Sequence, residues 1–289
     1  MIELRYANYF QQAEKLADHS FNMIILDPPW GVLSQNNKNP NVQWDKKPSI
    51  ENLGEITNHL LANNGYVIVF GDRKLVSEIE NKWKYLFHLR DELIWLKPGN
   101  IPTNTLKPLP VHEFIHIYMR KDIIMNECTW NPRVLPGKPY LKKGRAGVVS
   151  TRRQVKAAIH ENATGMRHLR SVIHAPNKPA MKMWERQGMR HPTMKPVQLL
   201  SQIIRVYSNP GAMVLDPFAG SASTAMTCFL TGRECVSFEN DSMWYQQSVM
   251  RFNRVKAMLG PGQVEQLLRQ PELGIDEFDT SALFSLRKE

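Results

Sequence analysis

The stretch VLDPFAGSASTAMTCFLTGRECVSFEND (214–241) reads as one complete structural unit. A short apolar run ends in Asp216, a tight turn of small residues follows at Ala219, Gly220 and Ser221, and a helical segment leads to a second apolar run ending in Glu239 and Asn240. Small residues at such a turn let backbone N–H groups and a helix N-terminus approach a ligand, and an acid about 20 residues further on can grip a ribose diol. Glu239 stands at that spacing from Gly220. Only one glycine is present and Phe218 occupies the approach, which disfavours a pyrophosphate and favours an adenosine ligand without phosphates.

Working outward, a second unit begins at MIILDPPWGV (23–32). Met23 to Leu26 read as a buried strand. The two prolines after Asp27 remove two backbone donors and hold the residue before them extended, so Asp27, Pro28, Pro29 and Trp30 form a stiff, non-helical hook. Elsewhere short β-branched runs predict strands near 22–26, 66–70, 92–96, 114–118, 212–216 and 234–238. Helical patterns fall near 51–63, 73–84, 196–208, 222–231 and 241–258. This alternation predicts an α/β fold with a doubly wound, mostly parallel sheet and helices on both faces. In such a sheet ligands lie outside the carboxyl ends of the strands where strand order reverses, and Asp27 and Asp216 both end strands.

The chain has 289 residues and a net charge of +10. Between Arg120 and Arg190 there are 16 Lys or Arg against 4 Asp or Glu, interleaved with Trp130, Tyr140 and Trp184, a composition that suits a polyanion. Turn signals crowd the same segment, which reads as an irregular insertion. Cys128, Cys228 and Cys235 are odd in number and lack C-x-x-C spacing, so no disulfide framework or structural zinc is expected, and no metal site is assigned. No apolar run is long enough for a membrane span, and the first ten residues lack the features of a secretory signal, so a cytoplasmic location and no membrane partner are expected.

DPPW (27–30), HPTMKP (191–196) and DPFAGSAST (216–224), with a basic segment between the first two, resemble the signature set of the circularly permuted β class of DNA amino-methyltransferases. The resemblance runs from about residue 18 to 255. It implies a Rossmann-like methyltransferase fold, S-adenosyl-L-methionine as cofactor, double-stranded DNA as partner, and a flipped-out base as substrate. Asp27 and the Pro28 carbonyl would accept the hydrogens of the target amine, Pro29 would stiffen the hook, and Trp30 would stack on the base. Backbone around Phe218, Ala219, Gly220 and Ser221 would cradle the cofactor, with Asp216 near its methionine part and Glu239 and Asn240 near its ribose. Thr193 and Lys195, with a helix whose first residue is Pro196, would receive its carboxylate. Arg133, Lys138, Lys142, Lys143, Arg145, Arg152 and Arg153 would contact DNA.

The corresponding division is a catalytic half over 1–119, a basic target-recognition insertion over 120–190, a cofactor half over 191–258 and an appendage over 259–289. Asp at the first hook position is the choice of adenine-N6 enzymes in this family, although Trp30 replaces the commoner Tyr and Met194 a commoner Gln. A cytosine-N4 enzyme, an RNA adenine methyltransferase and a silent nucleic-acid-binding subunit stay open as alternatives. So do a homodimer and a restriction endonuclease partner.

Overall fold

The computed structural model describes residues 1–31, 46–97, 106, 108–135, 137–143, 147–150, 153–155, 159–177, 181, 183–189 and 191–258, with the side chains of 142–160 and 183 left out. Its centre is an eight-stranded sheet built from β1 (Ile2–Tyr6), β2 (Phe21–Leu26), β3 (Leu61–Gly71), β4 (Phe87–Leu96), β5 (His112–Arg120), β10 (Val172–His174), β11 (Met213–Asp216) and β12 (Glu234–Glu239). The order across the sheet is β1-β12-β11-β2-β3-β5-β4-β10. β5 runs antiparallel to its neighbours β3 and β4, and the other pairings are parallel.

Strand β2 shows why the sheet is buried on both sides. Met23 and Ile25 pack on one face with Leu199, Leu200, Ile203 and Ile204 of α5 (Val197–Tyr207). Ile24 and Leu26 pack on the other with Leu53 of α2 (Ile50–Leu60) and Ile79 and Trp83 of α3 (Arg73–Trp83). A strand covered by helices on both faces needs an unbroken apolar run, which is what these four residues supply. Ser49 accepts from Asn52 N and Asp72 from Leu75 N, so both covering helices start on side-chain caps. α6 (Ser223–Thr231) ends at Gly232, whose φ of +72° supplies the left-handed cap that a Cβ disfavours. α7 (Ser242–Met258) follows β12, and the short helices α1 (Tyr9–Gln12) and α4 (Met183–Arg186) complete the set.

The register places the two halves together. Val214 lies opposite Met23 and Leu215 opposite Ile24, so Asp216 and Asp27 emerge at the same end of adjacent strands. From β2 the chain builds the sheet in one direction through β3, and from β11 in the other through β12, so strand order reverses between these two residues.

Three sequence-based boundaries shift. The helix expected over 51–63 ends at Leu60 because Leu61 already pairs with Phe21. Pro196 is the residue before the first helical one, with an extended backbone (ψ 140°), not the first position of α5. The basic segment is also not separate throughout. Cys128, Leu135 and Ile173 pack in the main core, and β10 extends the sheet beside β4. Between them, β6 (Tyr140–Lys143) pairs with β9 (Ile159–Asn162) and β7 (Gly147–Ser150) with β8 (Arg153–Val155) in two small antiparallel ribbons. The appendage over 259–289 lies outside the described residues. Among those described, no helix is long and apolar enough to cross a membrane.

Candidate active site

A cleft of about 690 Å³ opens where β2 and β11 end. The hook, Asp27 to Trp30, forms one wall, and the turn from Asp216 to Ser221 faces it, with Glu239 and Asn240 beyond. Thr193 and Lys195 close the inner side. The structure therefore brings together every residue expected in the hook and cofactor groups.

The turn after β11 is held by carboxylates. Asp216 Oδ1 accepts from Phe218 N (3.0 Å), and Glu239 accepts from Gly220 N (2.7 Å) and Asp241 N (2.8 Å). Gly220 has φ +49°, and a Cβ there would meet the His191 ring at 3.1 Å, so both conformation and space call for glycine. Burial, reinforced by the neighbouring Asp27 and Glu239 charges, pushes the Asp216 carboxyl from its ordinary 3.8 to about 7. Burial also raises Glu239.

The hook side carries a chain of alternating charge. Lys195 Nζ donates to Asp27 Oδ2 at 2.6 Å across 168 residues of sequence, and lies 3.5 Å from Glu113 Oε2. Lys97, just past β4, donates to Glu113 Oε1. The Lys195 ammonium also sits 5.2 Å from the centre of the Phe70 ring and 5.8 Å from that of Trp95. Burial pushes Asp27 above its ordinary range, with Lys195 pulling against it. Burial disfavours the Lys195 ammonium too, but the two carboxylates outweigh it and raise its pKa.

The placement of Lys195 against Asp27 differs from the expectation that Lys195 and the start of α5 form one anion site. The first helical donor, Val197 N, is already taken by the buried Glu185 carboxylate at 2.5 Å. Trp30 is half-buried and packs against the α2/α3 face of the core. Arg133 is exposed and its Nε donates to His168 Nε2 (3.1 Å), and Lys138 is exposed; neither lines the cleft. Arg145 and Arg152, and the side chains of Lys142, Lys143 and Arg153, lie outside the described residues.

Several cleft residues were not singled out from the sequence. Tyr9 and Phe10 line it from the start of α1, with the Phe10 ring edge-on to Phe218 at 6.5 Å. Glu113 lies on β5, where a buried carboxylate inside an apolar strand is the available signal. His191, within HPTMKP, packs edge-on to Trp244 at 4.8 Å. Behind the cleft and not lining it, Arg251, fully buried on α7, donates to the Ser221 carbonyl (2.5 Å) and the Glu185 carbonyl (2.7 Å), tying the turn to the helix layer. Cys128, Cys228 and Cys235 are buried and unbridged. Among the described residues no cluster of three His, Cys, Asp or Glu could hold a metal ion.

Residues 21–250 match the profile of the N6/N4 DNA methylase family. The chain is 32% identical over 117 residues to the putative methylase YubD of Escherichia coli, covering 37% of this chain and about half (52%) of that one. It is 23% identical over 245 residues to the DNA adenine methyltransferase YhdJ of the same organism, covering 84% and 79% of the two chains. The crystal structure of the M1.HpyAVI-SAM complex shares the fold, with a TM-score of 0.58 and 21% identity over 88% of this chain and all of that one. The cleft suits a cationic, adenosine-bearing cofactor: the part-buried Asp27 and the buried Asp216 line it from the ends of adjacent strands, and Glu239 lines it from the end of β12. Its match over four-fifths of its length makes this chain a member of the N6/N4 DNA methylase family, an S-adenosylmethionine-dependent DNA methyltransferase.

Proposed function

We propose that the chain methylates the exocyclic N6 amine of adenine, flipped out of a specific DNA site into the cleft beside the hook. The observation that carries the reading is the Asp27 carboxylate, which stands next to Pro28 and faces the cofactor turn across the end of the sheet. The lone pair of the adenine amine is delocalised into the ring, so it attacks only when pyramidal geometry is favoured. Asp27 and the Pro28 carbonyl each accept one amine hydrogen and aim the nitrogen, while Pro29 keeps the acceptors from relaxing. Trp30 offers its ring face to the base. The cofactor supplies an electrophilic methyl group on a cationic sulfur. Asp216 stands on the sulfonium side, Phe218 to Ser221 follow the methionine part, Glu239 and Asn240 take the ribose hydroxyls, and Thr193 lies toward the carboxylate. Arg133, Lys138 and the basic ribbon residues contact phosphates.

The test is incubation with cofactor and mixed-sequence double-stranded DNA, followed by mass analysis of the nucleosides. N6-methyladenine is the expected product. N4-methylcytosine would transfer the same hook to the other amine, and methylation confined to RNA would remove DNA as the substrate.

A further inference from the structure

We propose that Glu113, braced by Lys97, is a positioning residue for methyl transfer: through Lys195 it holds the Asp27 carboxylate in its amine-accepting place. The inference rests on the reading of Asp27 as the amine acceptor. Asp27 follows β2, Lys195 precedes α5, Glu113 lies on β5 and Lys97 follows β4, so four separate segments deliver charges to one line. A lysine on a loop has four rotatable carbons and no reason to lie down in an apolar pocket between Phe70 and Trp95. Two carboxylates from different segments, at 2.6 and 3.5 Å from its nitrogen, give that reason.

Glu113 is buried, and Lys97 holds its Oε1, which leaves Oε2 facing Lys195 with no closer partner among the described residues. The carboxylate therefore has one structural hand and one hand on the ammonium. Without its charge the Lys195 nitrogen keeps Asp27 as its one carboxylate partner among the described residues and is free to swing with Asp27, or to leave it. A misplacement of about 1 Å at a group that aims a reacting atom can cost about a hundredfold in rate. The charged and titratable groups around Lys195 are Asp27, Glu113 and Lys97, with Asp216 and His191 on the far wall of the cleft.

The experiment compares wild type, Glu113→Gln and Glu113→Asp in single-turnover methylation of DNA across pH, with cofactor affinity measured alongside. Glu113→Gln keeps the shape and loses the charge. Its rate at saturation falls by about ten- to a hundredfold, while cofactor affinity stays within about threefold, since Glu113 contributes no hydrogen bond to the cofactor turn. Both limbs of its pH–rate profile move to lower pH. Removing a neighbouring negative charge makes the Asp27 anion easier to form and the Lys195 ammonium easier to deprotonate, so the two shifts share one sign. Glu113→Asp keeps the charge and leaves both limbs at their wild-type positions, even where its rate drops.

A Glu113→Gln enzyme that folds and slows with unmoved limbs would show that Glu113 only packs, and overturns the proposal. So would a rate unchanged within threefold. A wild type that methylates DNA but in which Asp27→Asn keeps full rate would overturn the Asp27 reading itself, and Glu113 with it.

Discussion

Replacing Asp216 by asparagine separates the energetic cost of the site from its use. The Asp216 carboxyl is 4% exposed and is pushed from 3.8 to about 7 by burial and by the charges of Asp27 and Glu239. A carboxyl raised on folding binds its proton more tightly in the folded chain. Its stabilising contribution is whole below pH 3.8 and is lost as pH climbs to about 7, beyond which the loss is flat. Over that interval the loss is about 4 kcal/mol, of which roughly 1.6 has already gone at pH 5. Asparagine does not ionise, and its side-chain oxygen can still accept from Phe218 N. The variant should therefore gain on wild type as pH rises, the difference in unfolding free energy widening by about 2–3 kcal/mol between pH 5 and pH 8. The buried amide hydrogens subtract a constant of about 1–3 kcal/mol at every pH, which leaves the widening intact. Urea unfolding of the cofactor-free proteins at the two pH values measures it. A difference that stays flat would refute the claim that Asp216 is a desolvated acid. The same physics gives the functional half: a cationic cofactor favours ionised Asp216, so wild-type cofactor affinity should rise between pH 6 and 8, and Asp216→Asn should lose that rise.

Glu239→Ala should weaken cofactor binding in calorimetry by about 1.5–3 kcal/mol, the worth of hydrogen bonds to a charged group. Because Glu239 also holds Gly220 N and Asp241 N, Glu239→Gln should recover part of the loss, and full affinity in the alanine variant would remove Glu239 from the site. Replacing Lys142, Lys143 and Arg145 together should flatten the salt dependence of DNA binding, each lost phosphate contact changing the slope of log K against log salt by about 0.9. Cofactor affinity should not change, and an unaltered slope would make this run a solvated face. Trp30→Ala should cost roughly 1–3 kcal/mol in capture of the flipped base, read with a fluorescent adenine analogue at the target position.

The central strands were legible because burial on both faces demands continuous apolar runs, and MIIL, YVIVF and MVLD provide them. β1 was not, because it is an edge strand whose sequence, IELRY, mixes charges with half-buried residues and pairs Arg5 with Glu3 on the surface. β10 was missed for a related reason: three residues carry too little pattern to distinguish a strand from a loop. In the site, the hook and the cofactor turn were readable since their chemistry is local in sequence. The union of Asp27, Lys195, Glu113 and Lys97 was not, because only sheet register and the entry to α5 bring them together. The start of α5 was read one residue early, since a proline suits both the residue before a helix and its first position, and nothing in the local sequence reveals that Glu185 occupies Val197 N.

The amine-aiming role of Asp27 is tested most directly by single-turnover methylation with Asp27→Ala at saturating DNA and cofactor, with N6-methyladenine counted in the product. The variant removes one of two acceptors but keeps Pro28, Pro29 and the strand behind them, so DNA binding should persist. The rate should fall by about 10²–10³, the typical cost of a preorganised hydrogen-bonding group. A variant that still methylates adenine within tenfold of wild type would contradict the account and leave Asp27 as no more than the partner that neutralises Lys195.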